Sequence, residues 1–136
     1  MIDNKLISDI QNSLAKDPKI NLAYILGSAV SGRTRADSDF DLAIVVDDKG
    51  RVEYEKIYKL IYHINFPKNL DLSIVDENSS PLFLFQIVSG GKCVYQKSER
   101  FRASFEAFVS RNYYDNAHLR KIYYSYLKEK FSYANK

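Results

Sequence analysis

The chain has 136 residues, 46% hydrophobic and 27% charged, which is the balance of one ordinary globular domain rather than a disordered or fibrous chain. No stretch approaches the roughly 18 uninterrupted apolar residues of a membrane-spanning helix. The opening MIDNKLISDI has acids and no apolar centre, so it is not expected to be a secretory signal, and a lone Cys93 excludes an internal disulfide or a CxxC-type zinc site. A cytoplasmic location is expected.

Residues 3–16 read as a first helix, with Leu6, Ile7, Ile10 and Leu14 on one face, stopped by Asp17-Pro18. Ile20–Leu26 has the pattern of a buried strand ending at Gly27. A short turn or helix over Ser28–Gly32 leads into a polar loop, Arg33–Ser38. The next strand spans Asp39–Asp47, with an apolar centre over residues 42–46. Helical spacing returns over Arg51–Asn65 through Val52, Ile57, Leu60, Ile61 and Ile64, and Pro67 closes it. Leu70–Val75 is a third strand. Pro81 suits the first turn of a helix running to about Ser89, where Gly90-Gly91 ends it. Cys93–Tyr95 reads as a short edge strand, and from Ser98 onward the pattern is helical. Strands alternating with helices give an α/β fold, a small mixed sheet flanked by helices with a helical C-terminal extension. The expectation is a single domain over residues 1–136, its core about 1–95 and its helical segment about 98–136.

Charge is unevenly spread. The net value is +3, but residues 96–136 hold nine Lys/Arg and four Asp/Glu, a net +5, leaving −2 for the rest. Five of the 11 tyrosines fall between Tyr113 and Tyr126. A basic, Tyr-rich tail suits either a docking surface or a solvated helix, and the stretch Lys121–Tyr126 is expected to pack Tyr and Ile on the core with Lys and Arg facing water.

The chemistry concentrates in residues 26–42. Gly27-Ser28 follows a strand and opens a turn; glycine allows a ligand close to the backbone, and free N–H groups at a helix start attract phosphate. Ser28 can cap that turn or hydrogen-bond a phosphate oxygen. Asp39 and Asp41 lie two apart on a strand, so their side chains share a face while Phe40 and Leu42 point into the core. Two such carboxylates repel unless a cation lies between them, and hard oxygen ligands favour Mg²⁺. Asp71 is a third carboxylate, on a strand otherwise apolar at alternate positions. If its strand neighbours the first, three carboxylates can hold two metal ions for phosphoryl or nucleotidyl transfer.

Gly27-Ser28, ten intervening residues and Asp39-Phe40-Asp41 together resemble the GS-x10-DxD signature of the polymerase-β-like nucleotidyltransferase superfamily. With Gly32, the Asp71 strand, Gly91 and Tyr95 in the 81–95 segment, and the Tyr-rich tail, the chain is similar over nearly its whole length to the minimal nucleotidyltransferases of MntA type, antitoxins that pair with HEPN-domain toxins. It departs from them in carrying Ala29, Val30 and Ser31 where basic residues often follow the GS pair; Arg33 and Arg35 can replace those phosphate contacts or be simple loop charges.

The resemblance implies that Asp39 and Asp41 bridge two Mg²⁺ ions and that Asp71 completes one metal site and accepts a proton. It implies that Gly27 and Ser28 hold the phosphates of ATP, and that AMP passes to a tyrosine of a partner HEPN-type RNase toxin, silencing it. The rival readings are an antitoxin that neutralises by binding alone and a transferase acting on a small molecule. Arg111-Asn112 with His118 has the look of a HEPN ribonuclease motif, but the segment from Ser98 is too short for that all-helical domain. His63 is expected to be structural, and Cys93 a half-buried strand cysteine rather than a reactive thiol.

Overall fold

The structure, a computed structural model, describes residues 2–27 and 39–134. The expected turn over Ser28–Gly32 and the loop Arg33–Ser38 lie outside the described residues. The elements run α1 (Asn4–Leu14), β1 (Ile20–Leu26), β2 (Phe40–Val46), a 3-10 turn (Lys49–Arg51), α2 (Tyr54–Ile61), β3 (Leu70–Val75), α3 (Pro81–Gly90), β4 (Lys92–Gln96) and α4 (Glu99–Ala134). The four strands form one sheet in the order β3-β2-β1-β4. β1 pairs antiparallel with both neighbours, whereas β2 and β3 are parallel and joined by α2 as the crossover. This is the expected small mixed sheet flanked by helices.

Both faces of the sheet are covered, which explains why β1 and β2 read as nearly continuous apolar runs. On one face Ile20, Ala23 and Ile25 of β1 and Phe40, Leu42 and Ile44 of β2 pack with Leu6, Ile10 and Leu14 of α1 and Ile57 and Ile61 of α2. On the other, Leu22, Tyr24, Ala43 and Val45 meet Leu84 and Ile87 of α3 and Phe105 and Val109 of α4. The strand alternation thus assigns each residue of the first half of β2 to one of two layers.

Local chemistry sets the boundaries. Asp3 caps α1, its carboxylate accepting from the Leu6 N–H at 2.7 Å. Ser80 accepts from the Phe83 N–H and Pro81 occupies the first turn of α3, as expected. β4 is one of the two edge strands, and Gln11 of α1 donates to the Val94 carbonyl at 2.9 Å, occupying one of its open backbone groups. The helix expected over residues 51–65 is shorter. Asp48 accepts from the Gly50 N–H and Asp76 accepts from the Lys49 N–H, both at 2.9 Å, so residues 49–51 close into a tight turn before α2 begins. Val52 and Leu60 still pack on the core, and Ile57, Ile61 and Ile64 are buried.

The C-terminal segment is one helix of 36 residues. Its first half is fastened to the body: Tyr24 donates from its hydroxyl to Glu106 at 2.6 Å, Arg102 donates to the same carboxylate at 3.0 Å, and Phe85 stacks on Tyr113 with ring centres 4.0 Å apart. Its second half overturns the expectation that Tyr and Ile of the 121–126 stretch pack on the core. Ile122 and Tyr123 are 55% and 58% exposed, and Tyr124 and Tyr126 are exposed with them. Among the described residues, none from this half of the helix belongs to either core layer.

Candidate functional site

β1 ends at Leu26, whose register partner across the antiparallel pair is Asp41. The parallel pairing of β2 with β3 sets Asp41 opposite Asp71, and Phe40 is tied to the start of β3 by its N–H donating to the Asn69 carbonyl at 2.7 Å. Neighbouring strands lie about 4.8 Å apart, so same-face side chains at one register level are in contact range. Asp41 is half-buried, Asp71 and Asp39 are exposed, and Phe40 and Leu42 point into the opposite layer as expected.

The Asp41 carboxyl is held above the ordinary carboxylate range. Burial is the main cause, followed by the charge of Asp71, a hydrogen bond with Asp71 that favours the protonated form, and the charge of Asp39. All four influences act in one direction. Such a group is relieved either by a proton or by a cation.

Gly27 follows β1 with a φ of +69°, a left-handed conformation that side chains resist. A Cβ there would also lie 3.0 Å from Oδ2 of Asp41. The glycine therefore gives room to the carboxylate, a requirement the sequence did not display. Gly91 plays a similar part behind β1: a Cβ on it would collide with the Ile87 carbonyl and the Leu26 side chain, so α3 can end against the last residue of β1 only as glycine.

Of the site residues expected from sequence, the structure brings together Gly27, Asp41 and Asp71, with Asp39 close enough to act on Asp41 electrostatically. Ser28, Arg33 and Arg35 lie outside the described residues. Ser73 was not singled out from the sequence, yet the alternation of β3 carries it: two residues beyond Asp71, it lies on the same face, half-buried and opposite Ala43.

Among the described residues no three His, Cys, Asp or Glu side chains form a ready-made metal site. The donor chemistry nonetheless fits Mg²⁺, which takes one or two carboxylates and completes its shell with water and substrate phosphates. Elsewhere, burial raises the Cys93 thiol above its usual value, the mark of an inert cysteine, and His63 is exposed just beyond α2.

No curated protein matches the sequence. Among solved structures, a chain of a mutant MntA–HpeT toxin–antitoxin superposes with a TM-score of 0.69 at 18% identity, covering 94% of this chain and 99% of that one. A chain of a toxin–antitoxin with AMP-PNP gives 0.64 at 22% identity, covering 90% and 96%. A chain from the complex of a tri-AMPylated Shewanella oneidensis HEPN toxin with its MNT antitoxin gives 0.63 at 17% identity, covering 93% and 99%. These likenesses establish a shared fold. Residues 8–100, which include the strands bearing Asp41 and Asp71, match the family described as Polymerase beta, Nucleotidyltransferase, and the chain belongs to that family.

Proposed function

We propose that this protein is an antitoxin that works as a protein adenylyltransferase, moving AMP from Mg-ATP to a tyrosine hydroxyl of a HEPN-type RNase toxin. The observation that carries the reading is the register of Asp41 with Asp71 beside a glycine that leaves room for the carboxylate. A protein acting by occlusion alone gains nothing from like charges held side by side, one of them at a cost in ionisation. Family membership gives the reaction class, and the toxin–antitoxin likenesses, one with AMP-PNP and one with an AMPylated toxin, support the choice of nucleotide and acceptor.

In this reading Asp39, Asp41 and Asp71 hold the metal, and the Gly27 backbone with Ser28 binds the outer phosphates of ATP. Mg²⁺, two ions of it in this chemistry, supplies charge neutralisation at the triphosphate and a lowered pKa at the attacking hydroxyl. Asp71, the more exposed carboxylate of the pair, takes the tyrosine proton. The tyrosine oxygen forms its bond to the α-phosphorus as the bond to the β-phosphate oxygen breaks, and pyrophosphate leaves.

Intact-mass measurement of the toxin after incubation with this protein, Mg²⁺ and ATP tests the proposal. Mass gains in whole AMP units are expected with the wild type and not with Asp41→Asn. An unmodified toxin whose RNase activity is nevertheless blocked would assign neutralisation to binding alone.

A further inference from the structure

At 1.5 Å per residue, the 36 residues of α4 extend about 54 Å, and only the first half lies on the sheet. The stripe that buries Phe105 and Val109 does not stop where the sheet does. In alternating steps of four and three it runs through Asn112 and Asn116 to Leu119, Tyr123 and Tyr126, the repeat by which one helix packs along another. The Asn116 side-chain amide donates to both the carbonyl and the side-chain oxygen of Asn112, at 2.8 and 2.9 Å, which ties its nitrogen to the helix's own preceding turn in the middle of the stripe. Beyond them Leu119 is 62% exposed and Tyr126 58%, with Ile122 and Tyr123 exposed to a similar degree. A run of exposed apolar side chains at packing spacing, continuous with a buried stripe, is a surface with a partner missing.

Charge narrows the occupant. From Asn116 to Lys130 the helix carries Arg120, Lys121, Lys128 and Lys130 against one acid, Glu129. A second copy of the chain would bring the same cations against these, whereas an acidic helix would be drawn to them. We propose that the stripe from Leu119 to Tyr126 seats one helix of a separate protein, an apolar helix face flanked by aspartate and glutamate. This rests on the function proposed above, in which that protein is the HEPN toxin, and adds the place where it docks. Tyr123 and Tyr126 supply rigid, amphipathic contact area of the kind that dominates binding energy, and the lysines speed encounter.

The test compares the full-length wild type with two variants, Leu119→Ser/Tyr123→Ser/Tyr126→Ser and Lys121→Glu/Lys128→Glu. All these side chains are exposed, so folding should be preserved and thermal melts would verify it. Each protein is titrated against the purified toxin by surface plasmon resonance and run alone in analytical ultracentrifugation. The apolar variant should bind at least tenfold more weakly. The charge variant should associate more slowly at low ionic strength, with the difference fading as salt is added. Wild-type affinity in the apolar variant, or no binding of toxin by the wild type, overturns the proposal. So does a wild-type dimer that the apolar variant abolishes, which would make the occupant a second copy. AMP transfer is read separately: binding lost only in the variants while the toxin is never AMPylated supports the docking site and refutes the transferase reading instead.

Discussion

Asp41 and Asp71 face one another in the register of the parallel β2–β3 pair, and burial together with this neighbour holds the Asp41 carboxyl protonated to higher pH than an isolated aspartate. The relationship has direct consequences for stability and for activity.

Stability should fall as pH rises through the folded-state pKa of Asp41. The folded pKa is raised, so the stabilisation it contributes is complete below the unfolded value of about 3.9 and is lost above the folded one. Asp71→Asn removes the neighbouring charge that adds to burial and should weaken that dependence. Thermal melts between pH 4 and 8, without metal, would show parallel curves for the two proteins if the coupling is absent.

Asp39→Ala/Asp41→Ala should lower AMP transfer by about a thousandfold or more, roughly 4 kcal/mol of transition-state stabilisation. The fold should survive, because the change removes crowded charges; with solvent screening, stability should move by less than about 1 kcal/mol, and upward. Single-turnover transfer assays and melts on the same preparation would decide it, retained activity being the adverse result.

Gly27→Ala should cost about 1–2 kcal/mol from its left-handed backbone alone, and should displace Asp41, whose Oδ2 would lie 3.0 Å from the new methyl group. Mg²⁺ binding, followed by calorimetry, should weaken along with stability. A variant that melts lower but binds Mg²⁺ normally would confine the glycine to a backbone role.

Asp76, buried just past β3, carries the opposite pH sign. Burial would raise its pKa, but the N–H groups of Lys49 and Asn78, each donating at 2.9 Å, the Lys49 charge and the Ser79 hydroxyl outweigh that and hold it low. Its contribution is therefore present above about pH 3.9 and lost as pH falls through the depressed folded value. Asp76→Ala should cost about 1–3 kcal/mol by leaving the Lys49 N–H without its acceptor. Urea titrations at pH 7 and pH 3 should show the gap between variant and wild type narrowing in acid; an equal gap at both would contradict the assignment.

Much of this protein is written in local pattern. The bounds of β1 and β3, the proline start of α3 and the edge position of β4 all follow from short-range periodicity and helix-start chemistry, which a sequence displays directly. The i, i+2 spacing of Asp39 and Asp41 likewise gives the expectation of a shared face before any fold is known, although β2 begins only at Phe40 and leaves Asp39 just ahead of it. Pairing is different, because it joins residues far apart in the chain. That Asp71 stands opposite Asp41, and that Gly27 is needed to admit that carboxylate, depended on strand order and register. The tail shows the limit most plainly: periodicity put Leu119, Ile122 and Tyr126 on one face of a helix, as it did Phe105 and Phe108. Only the tertiary structure decided that the second pair packs against the core and the first three stay exposed, since amphipathicity records that a face is to be covered and not what covers it.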